Sequence, residues 1–313
     1  MKVVVLEPLG VEKKQFLEIA NKYLKQEVEL VCYDNRVEDV PSLIERSKEA
    51  DIVVLSNFQY RKEVIEQCPK LKMICVAFTG VDHVDVAYCK QRGITVCNCA
   101  GYSTVAVADL VFGFVIDLMR NVIPCNEVIR QEGTKDGLVG SELEGKKFGI
   151  IGTGAIGLRV AAIARAFGCE VYAYSRTVRE ETGVKYVDLD TLLTECDIVS
   201  LHVPFTEQTK HLINENNIKL MKKSAILINT ARGPVVDSKA LAKALSQGDI
   251  AGAGIDVFEM EPPIPKEHVL LEAPHTVCTP HVAFATKEAF VKRAYIVFEN
   301  IKNYLEGKPS NVI

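Results

Sequence analysis

Short apolar runs alternate with stretches of helical periodicity along this chain, and the alternation occurs twice. In the first hundred residues the runs KVVVLE, EVELVCYD, DIVVLS, KMICVAFTG and ITVCNC have strand length. Helical patterns fall between them at residues 11–24, 41–50 and 61–68. A second series starts at Lys146 with KKFGIIG. It continues through EVYAYS, a helical stretch at 189–196, DIVSLHVP, AILINTARG, GAGIDVFE and HTVCTPHVA. Apolar strands that repeatedly alternate with helices predict parallel sheets covered on both faces. The runs end in polar or glycine-containing residues. Ligands of open α/β sheets bind beyond the carboxyl ends of strands, so chemistry is expected at those ends. The pattern KEAFVKRAYIVFENIKNYLEG predicts one amphipathic C-terminal helix ending at Gly307.

The most apolar segment, VAVADLVFGFVIDLM at 105–119, is interrupted by Asp109 and Asp117 and is too short to span a bilayer. It reads as a helix buried between domains or subunits, with Ser103 or Thr104 placed to cap its start.

The stretch GTGAIG at 152–157 lies between the strand run KKFGII and the helical LRVAAIARAFG. In that context Gly-x-Gly-x-x-Gly predicts dinucleotide binding. Gly152 allows a sharp turn off the strand, Gly154 lets a pyrophosphate approach the backbone, and Gly157 lets the helix pack closely on the sheet. The N–H groups that begin the helix, around Ala155 and Ile156, face the phosphates.

Composition narrows the partners. The 313 residues carry 37 basic and 41 acidic side chains, net −4, which argues against a nucleic-acid partner. Ten cysteines are scattered through apolar runs, among them Cys32, Cys75, Cys169 and Cys278. They read as buried free thiols in a reducing cytoplasm. MKVVVLEPLG reads as a strand rather than a secretory leader. Cys97 and Cys99 have no further ligands at metal-binding spacing, so no metal is expected.

Taken together, the motifs resemble the D-isomer-specific 2-hydroxyacid dehydrogenase family along nearly the whole chain. They are FTGVDHVD at 78–85, GYSTVAVAD at 101–109, GTGAIG, LHVPFTEQT at 201–209, NTARGPVVD at 229–237, GIDVFEMEP at 254–262 and TPHVA at 279–283. The resemblance implies two doubly wound parallel-sheet domains with a cleft between them. A flavodoxin-like substrate domain would comprise 1–100 and 285–313, and a Rossmann-type NAD(P)-binding domain would comprise 101–284. It also implies a nicotinamide cofactor and a homodimer formed largely through 101–121.

Reduction of a 2-oxo acid requires a carboxylate anchor, a polarised ketone and a proton donor. The planar fork of Arg232 suits the first two tasks. The imidazole of His281 suits the third, because it titrates near neutral pH. Glu261, rather than Glu259, is the carboxylate that would orient the imidazole and favour its protonated form. By resemblance these three match the family's catalytic trio. The backbone N–H groups of Thr79 and Gly80 are expected to clamp the substrate carboxylate. Asn57 and Phe58 are expected to line its pocket. Leu55 to Phe58 include no basic residue, although Arg61 is close, so an unphosphorylated substrate is favoured. Asp256 matches the aspartate that binds the nicotinamide amide, with a turn role as its structural alternative.

Preference between cofactors is read at the end of the second strand. An NAD site places an acid there for the ribose hydroxyls. This chain has Ser175, Arg176 and Thr177 instead, and arginine pairs with a 2′-phosphate. NADP(H) is therefore favoured, with NAD(H) possible. His202, Val203 and Pro204 should flank the adenosine, and Thr209 matches a family threonine with a helix-start role as its alternative. Thr104, Thr230 and Ala231 complete the expected cofactor contacts. The leading expectation is an NADPH-linked oxidoreductase giving D-2-hydroxy acids. A D-3-phosphoglycerate dehydrogenase-like enzyme and a cofactor-sensing, corepressor-like binding protein on the same fold are the alternatives.

Overall fold

The computed structural model describes residues 1–179 and 183–313. In chain order the first elements are β1 (Lys2–Val5), α1 (Lys13–Tyr23), β2 (Glu29–Cys32), α2 (Val40–Ser47), β3 (Ile52–Leu55), α3 (Lys62–Ile65), β4 (Met73–Val76), α4 (Val86–Gln91) and β5 (Thr95–Cys97). Next come α5 (Thr104–Arg120), α6 (Val122–Ile129), β6 (Lys147–Ile151), α7 (Ala155–Ala166), β7 (Glu170–Tyr174), β8 (Lys185–Tyr186), α8 (Leu189–Glu195) and β9 (Ile198–Leu201). The remainder are α9 (Glu215–Ile218), β10 (Ile226–Asn229), α10 (Ser238–Gln247), β11 (Gly252–Ile255), α11 (Val269–Glu272), β12 (Thr276–Cys278) and α12 (Lys287–Leu305).

The chain divides into two units, Met1–Ser103 with Ala285–Ile313, and Thr104–Phe284. In the first, five parallel strands run in the order β2-β1-β3-β4-β5. That is the flavodoxin-like order, with its switch point between β1 and β3. The strands β3 and β4 are buried along their whole length, as an all-parallel sheet requires. The helix α2 starts where Asp39 accepts from Ser42 N (2.9 Å), and α12 starts where Thr286 accepts from Ala289 N (3.1 Å). α12 returns to this unit, packing Phe298 against Phe16 with ring centroids 5.0 Å apart and the rings tilted.

The second unit holds seven parallel strands in the order β12-β11-β10-β9-β6-β7-β8. Counted from β6, this is the Rossmann order extended by one strand, and the switch point lies between β6 and β9. One face packs under Phe112, Phe114 and Val115 of α5 and Val160 and Ala164 of α7. The other packs under Leu192, Leu241 and Leu245. The doubly wound parallel architecture expected from the alternating pattern is the one observed. The sequence pattern missed α4, α6, α9, α10, α11 and the short strand β8, and it extended α2 and α3 by a few residues at their C-terminal ends. Of the thiols expected to be buried, Cys75 and Cys169 are, whereas Cys32 and Cys278 are only half-buried because their short strands lie at sheet edges. Among the described residues no helix is long and apolar enough to cross a membrane.

Candidate active site

The glycine turn leaves β6 at the switch point of its sheet. Gly152 has φ +98°, and a Cβ there would lie 2.5 Å from the carbonyl oxygen of His202, so the two strand ends pass backbone to backbone. A Cβ on Gly157 would collide with the carbonyl oxygen of Gly152. At Gly154, the N-cap of α7, a Cβ would meet nothing within 4 Å. That glycine borders open space in front of the helix N-terminus, where Ala155, Ile156 and Gly157 begin the helix. Room for a phosphate facing N–H groups is what a dinucleotide needs there. Beside β10, Thr230 Oγ1 is buried with no hydrogen-bond partner among the described residues. An orphaned hydroxyl is costly unless something else binds it. Both features fit a bound nicotinamide dinucleotide.

At the end of β7, Arg176 donates from Nη1 to Gln208 Oε1 (3.1 Å), so its guanidinium is held beside the loop that follows β9. Ser175 and Thr177 flank it. Thr177 accepts, through its carbonyl oxygen, from Thr153 Oγ1 (3.4 Å), which in turn accepts from Tyr186 Oη (3.2 Å). His202 bonds through Nε2 to Ser200 Oγ (2.9 Å), and desolvation pushes its pKa well down, so the ring is neutral. Val203 and Pro204 follow it. Thr209 uses its hydroxyl locally, donating to Pro204 O (2.7 Å) and accepting from Thr206 N (2.8 Å). It closes its own turn rather than starting a helix, since the next helix, α9, begins only at Glu215. Thr104 is the first residue of α5.

Arg232 stands in a turn fixed by Asn229, whose Oδ1 accepts from Ala231 N (3.0 Å) and whose Nδ2 donates to Arg232 O (3.0 Å). Asn229 was not singled out from the sequence, yet an asparagine closing on its own next three residues is a local signal. Beyond Arg232, a Cβ on Gly233 would collide with the backbone of Phe258 and Glu259. The Arg232 turn is thereby seated on the loop that carries Glu261.

Glu261 Oε2 lies 2.7 Å from His281 Nδ1, joining two motifs twenty residues apart. His281 has φ +56°, an uncommon conformation for a residue with a side chain. The fully buried Asp256 holds this turn. Its Oδ1 accepts from Thr279 Oγ1 and from Val282 N (2.8 Å), and its Oδ2 accepts from Ala283 N (2.9 Å). Both oxygens of Asp256 bond the 279–283 turn, so Asp256 has the turn role that the sequence offered as its structural alternative. Phe284 packs edge-on against the His281 ring, with centroids 5.4 Å apart.

In the first unit, Thr79 and Gly80 follow β4, and Thr79 O accepts from Asn98 Nδ2 (2.7 Å). Ser56 N donates to Glu7 Oε1 (2.7 Å) across the β1/β3 switch point. Burial pushes the Glu7 carboxyl up, and the nearby Arg36 and Arg293 oppose that shift. Phe58 is buried at 1% exposure, and the Arg36 guanidinium lies 5.4 Å from its ring centre. Arg36 also donates to Asn57 Oδ1 (2.7 Å). Leu55 to Phe58 carry no basic side chain, but Arg36, four residues beyond β2, reaches this strand end in addition to the nearby Arg61. Arg36 is already paired with Glu7 (3.1 Å) and Glu38 (2.7 Å), so a phosphate would compete with two carboxylates.

A family model described as D-isomer specific 2-hydroxyacid dehydrogenase, NAD binding domain, matches residues 112–283. The chain belongs to this dehydrogenase family. The matched stretch lies within the second unit, and the protein is accordingly a nicotinamide-dependent enzyme. A glyoxylate reductase of Thermococcus litoralis is 42% identical over 285 residues, covering 87% of this chain and 86% of that protein. A glycerate dehydrogenase of Methylorubrum extorquens is 41% identical over 280 residues, covering 87% of this chain and 88% of its own length. Among solved structures, an acyclic imino acid reductase in complex with NADPH and D-Arg superposes with a TM-score of 0.91 at 33% identity, covering 100% of both chains.

Proposed function

We propose that this dehydrogenase reduces a small, unphosphorylated 2-oxo acid of the glyoxylate or hydroxypyruvate kind to a D-2-hydroxy acid, with NADPH preferred. The observation that carries the reading is the 2.7 Å bond between Glu261 and His281 Nδ1. With Nδ1 engaged by the carboxylate, Nε2 is the atom that holds the proton for the substrate oxygen. Glu261 orients the ring and stabilises the imidazolium before transfer. Arg232 receives the carboxylate and ketone oxygens in its planar fork. The bound nicotinamide supplies hydride. Gly152, Gly154 and Gly157 admit its pyrophosphate, and Asp256 holds the turn that presents His281. Ser175, Arg176 and Thr177 form the 2′-phosphate site, a reading supported by the absent acid and by the NADPH in the imino acid reductase. The enzyme acts as a cytoplasmic homodimer. Ten free thiols and the exposed Val105, Ile116, Val122 and Ile123 around α5 and α6 support that placement.

The test mixes purified protein with NADPH or NADH and a panel of 2-oxo acids, following absorbance and product chirality. Turnover with NADPH and a D product is expected. His281→Ala should lower kcat by about 10²–10⁴-fold. No turnover with any acid refutes the reaction, and exclusive use of NADH refutes the role of Arg176.

A further inference from the structure

Between β11 and α11 the chain runs from 256 to 268 without regular structure, and Glu261 lies midway along it. Such a loop would ordinarily let a side chain wander. Here the ends of the inner segment are joined. Glu259 Oε2 lies 3.0 Å from His268 Nε2. His268 Nδ1 accepts from Leu270 N (3.3 Å) at the start of α11. An imidazole nitrogen that accepts carries no proton, so the neutral ring has its proton on Nε2 and donates it to Glu259. Phe258 meets the same ring edge-on, with centroids 5.1 Å apart. The Glu259 backbone lies against Gly233, directly after Arg232.

We propose that Glu259 and His268 are positioning residues: together they form a strap that closes the 259–268 loop and holds Glu261 in register with both the Arg232 turn and His281. The proposal rests on the functional reading above. The strap meets the costs of loop ordering in advance, so Glu261 stands at His281 Nδ1 without having to be recruited in each turnover. Glu261 bonds the imidazole of His281 and Glu259 that of His268, while the Asp256 carboxylate holds the His281 turn through Thr279, Val282 and Ala283.

The experiment compares full-length Glu259→Ala, Glu259→Gln, His268→Asn, Glu261→Gln and the Glu259→Ala/Glu261→Gln double variant. The readouts are kcat, KM, the pH profile of kcat for reduction, NADPH affinity by fluorescence titration, and Tm. Glu259→Ala should lower kcat about tenfold, with KM and NADPH affinity changing less than about twofold. Its pH profile should move toward that of Glu261→Gln, and the double variant should lose little more than Glu261→Gln alone. Glu259→Gln retains an acceptor for the Nε2 proton and should recover most of the activity. His268→Asn keeps a cap for α11 while removing the bond to Glu259, so it tests the strap even if Glu259→Ala folds poorly. A lower Tm with an unchanged pH profile in Glu259→Ala and His268→Asn overturns the proposal. If Glu261→Gln has wild-type kcat, the functional reading falls and the strap falls with it. If Glu261→Gln is impaired while the strap variants are not, the strap alone is overturned.

Discussion

Gly154 and Gly157 stand three residues apart and are glycine for different reasons. Gly157 is required by the fold, since any side chain meets the backbone of Gly152. Gly154 has extended dihedrals that other residues adopt, and its missing side chain leaves only open space. Gly154→Val should therefore cost the fold about 1 kcal/mol or less, as a poorer cap, while weakening NADPH binding at least about tenfold. Thermal melting and cofactor titration separate the two effects, and equal losses in both would refute the assignment. Gly157→Ala should lower Tm and affinity together. Such positions were legible in the sequence because the turn is contiguous. Glu261 and His281 were legible for the same reason, each inside its own short motif. Arg36 was not, because it meets Asn57 across twenty-one positions and only the β2-β1-β3 order brings them together. The strap at Glu259 was hidden too. In sequence it is one acid of a polar run, and its role depends on a histidine nine residues away.

At the level of elements, the two sheets share a device at the amino ends of their strands. Asp51 precedes β3, accepts from Lys2 N (2.9 Å) at the start of β1, and pairs with Lys72 Nζ (2.8 Å) before β4. Asp197 precedes β9, accepts from Lys147 N (2.9 Å) at the start of β6, and pairs with Lys222 Nζ (2.8 Å) before β10. Each carboxylate ties three neighbouring strands at the edge opposite the chemistry. The bond from Lys72 holds the Asp51 carboxyl below its ordinary value of 3.8. Burial alone would push Asp197 up, but Lys222 and the Lys147 N–H outweigh it. A carboxyl with a depressed folded pKa stabilises the protein above its unfolded value and loses that contribution as pH falls through the folded one. Asp51→Asn should therefore cost about 1–2 kcal/mol at pH 7, and the difference in Tm from the parent should narrow as pH drops below 3.8. A pH-independent difference would overturn this account. The strands were readable because buried parallel strands are continuous apolar runs. Four-residue helices such as α9 and α11 were not, being too short to show a period, and α9 depends on a capping box between Asn214 and Asn217.

Across the whole molecule, the first unit is assembled from both ends of the chain. α12 contributes the buried Arg293, which donates to Leu9 O (2.6 Å) and Ala77 O (3.2 Å), and the buried Asn300, which donates to Asn98 O (2.8 Å). The last residues then join the sheet edge. Asn98 N donates to Asn311 O (3.0 Å), Ile313 N donates to Val96 O (3.0 Å), and Asn311 Nδ2 donates to Asn300 Oδ1 (2.8 Å). Deleting residues 311–313 should destabilise this unit by about 2–3 kcal/mol, with a fall in Tm and faster amide exchange along β5. Unchanged exchange there would refute the bracing role. The split also orders events on the ribosome. Residues 104–284 form one uninterrupted segment and need nothing that is still to be translated. Residues 1–103 are made before that segment but must wait for α12 before Phe16 and the end of β4 are covered. During synthesis the unit that begins later is the first able to finish, and the strands made before it are the ones that most need protection from aggregation.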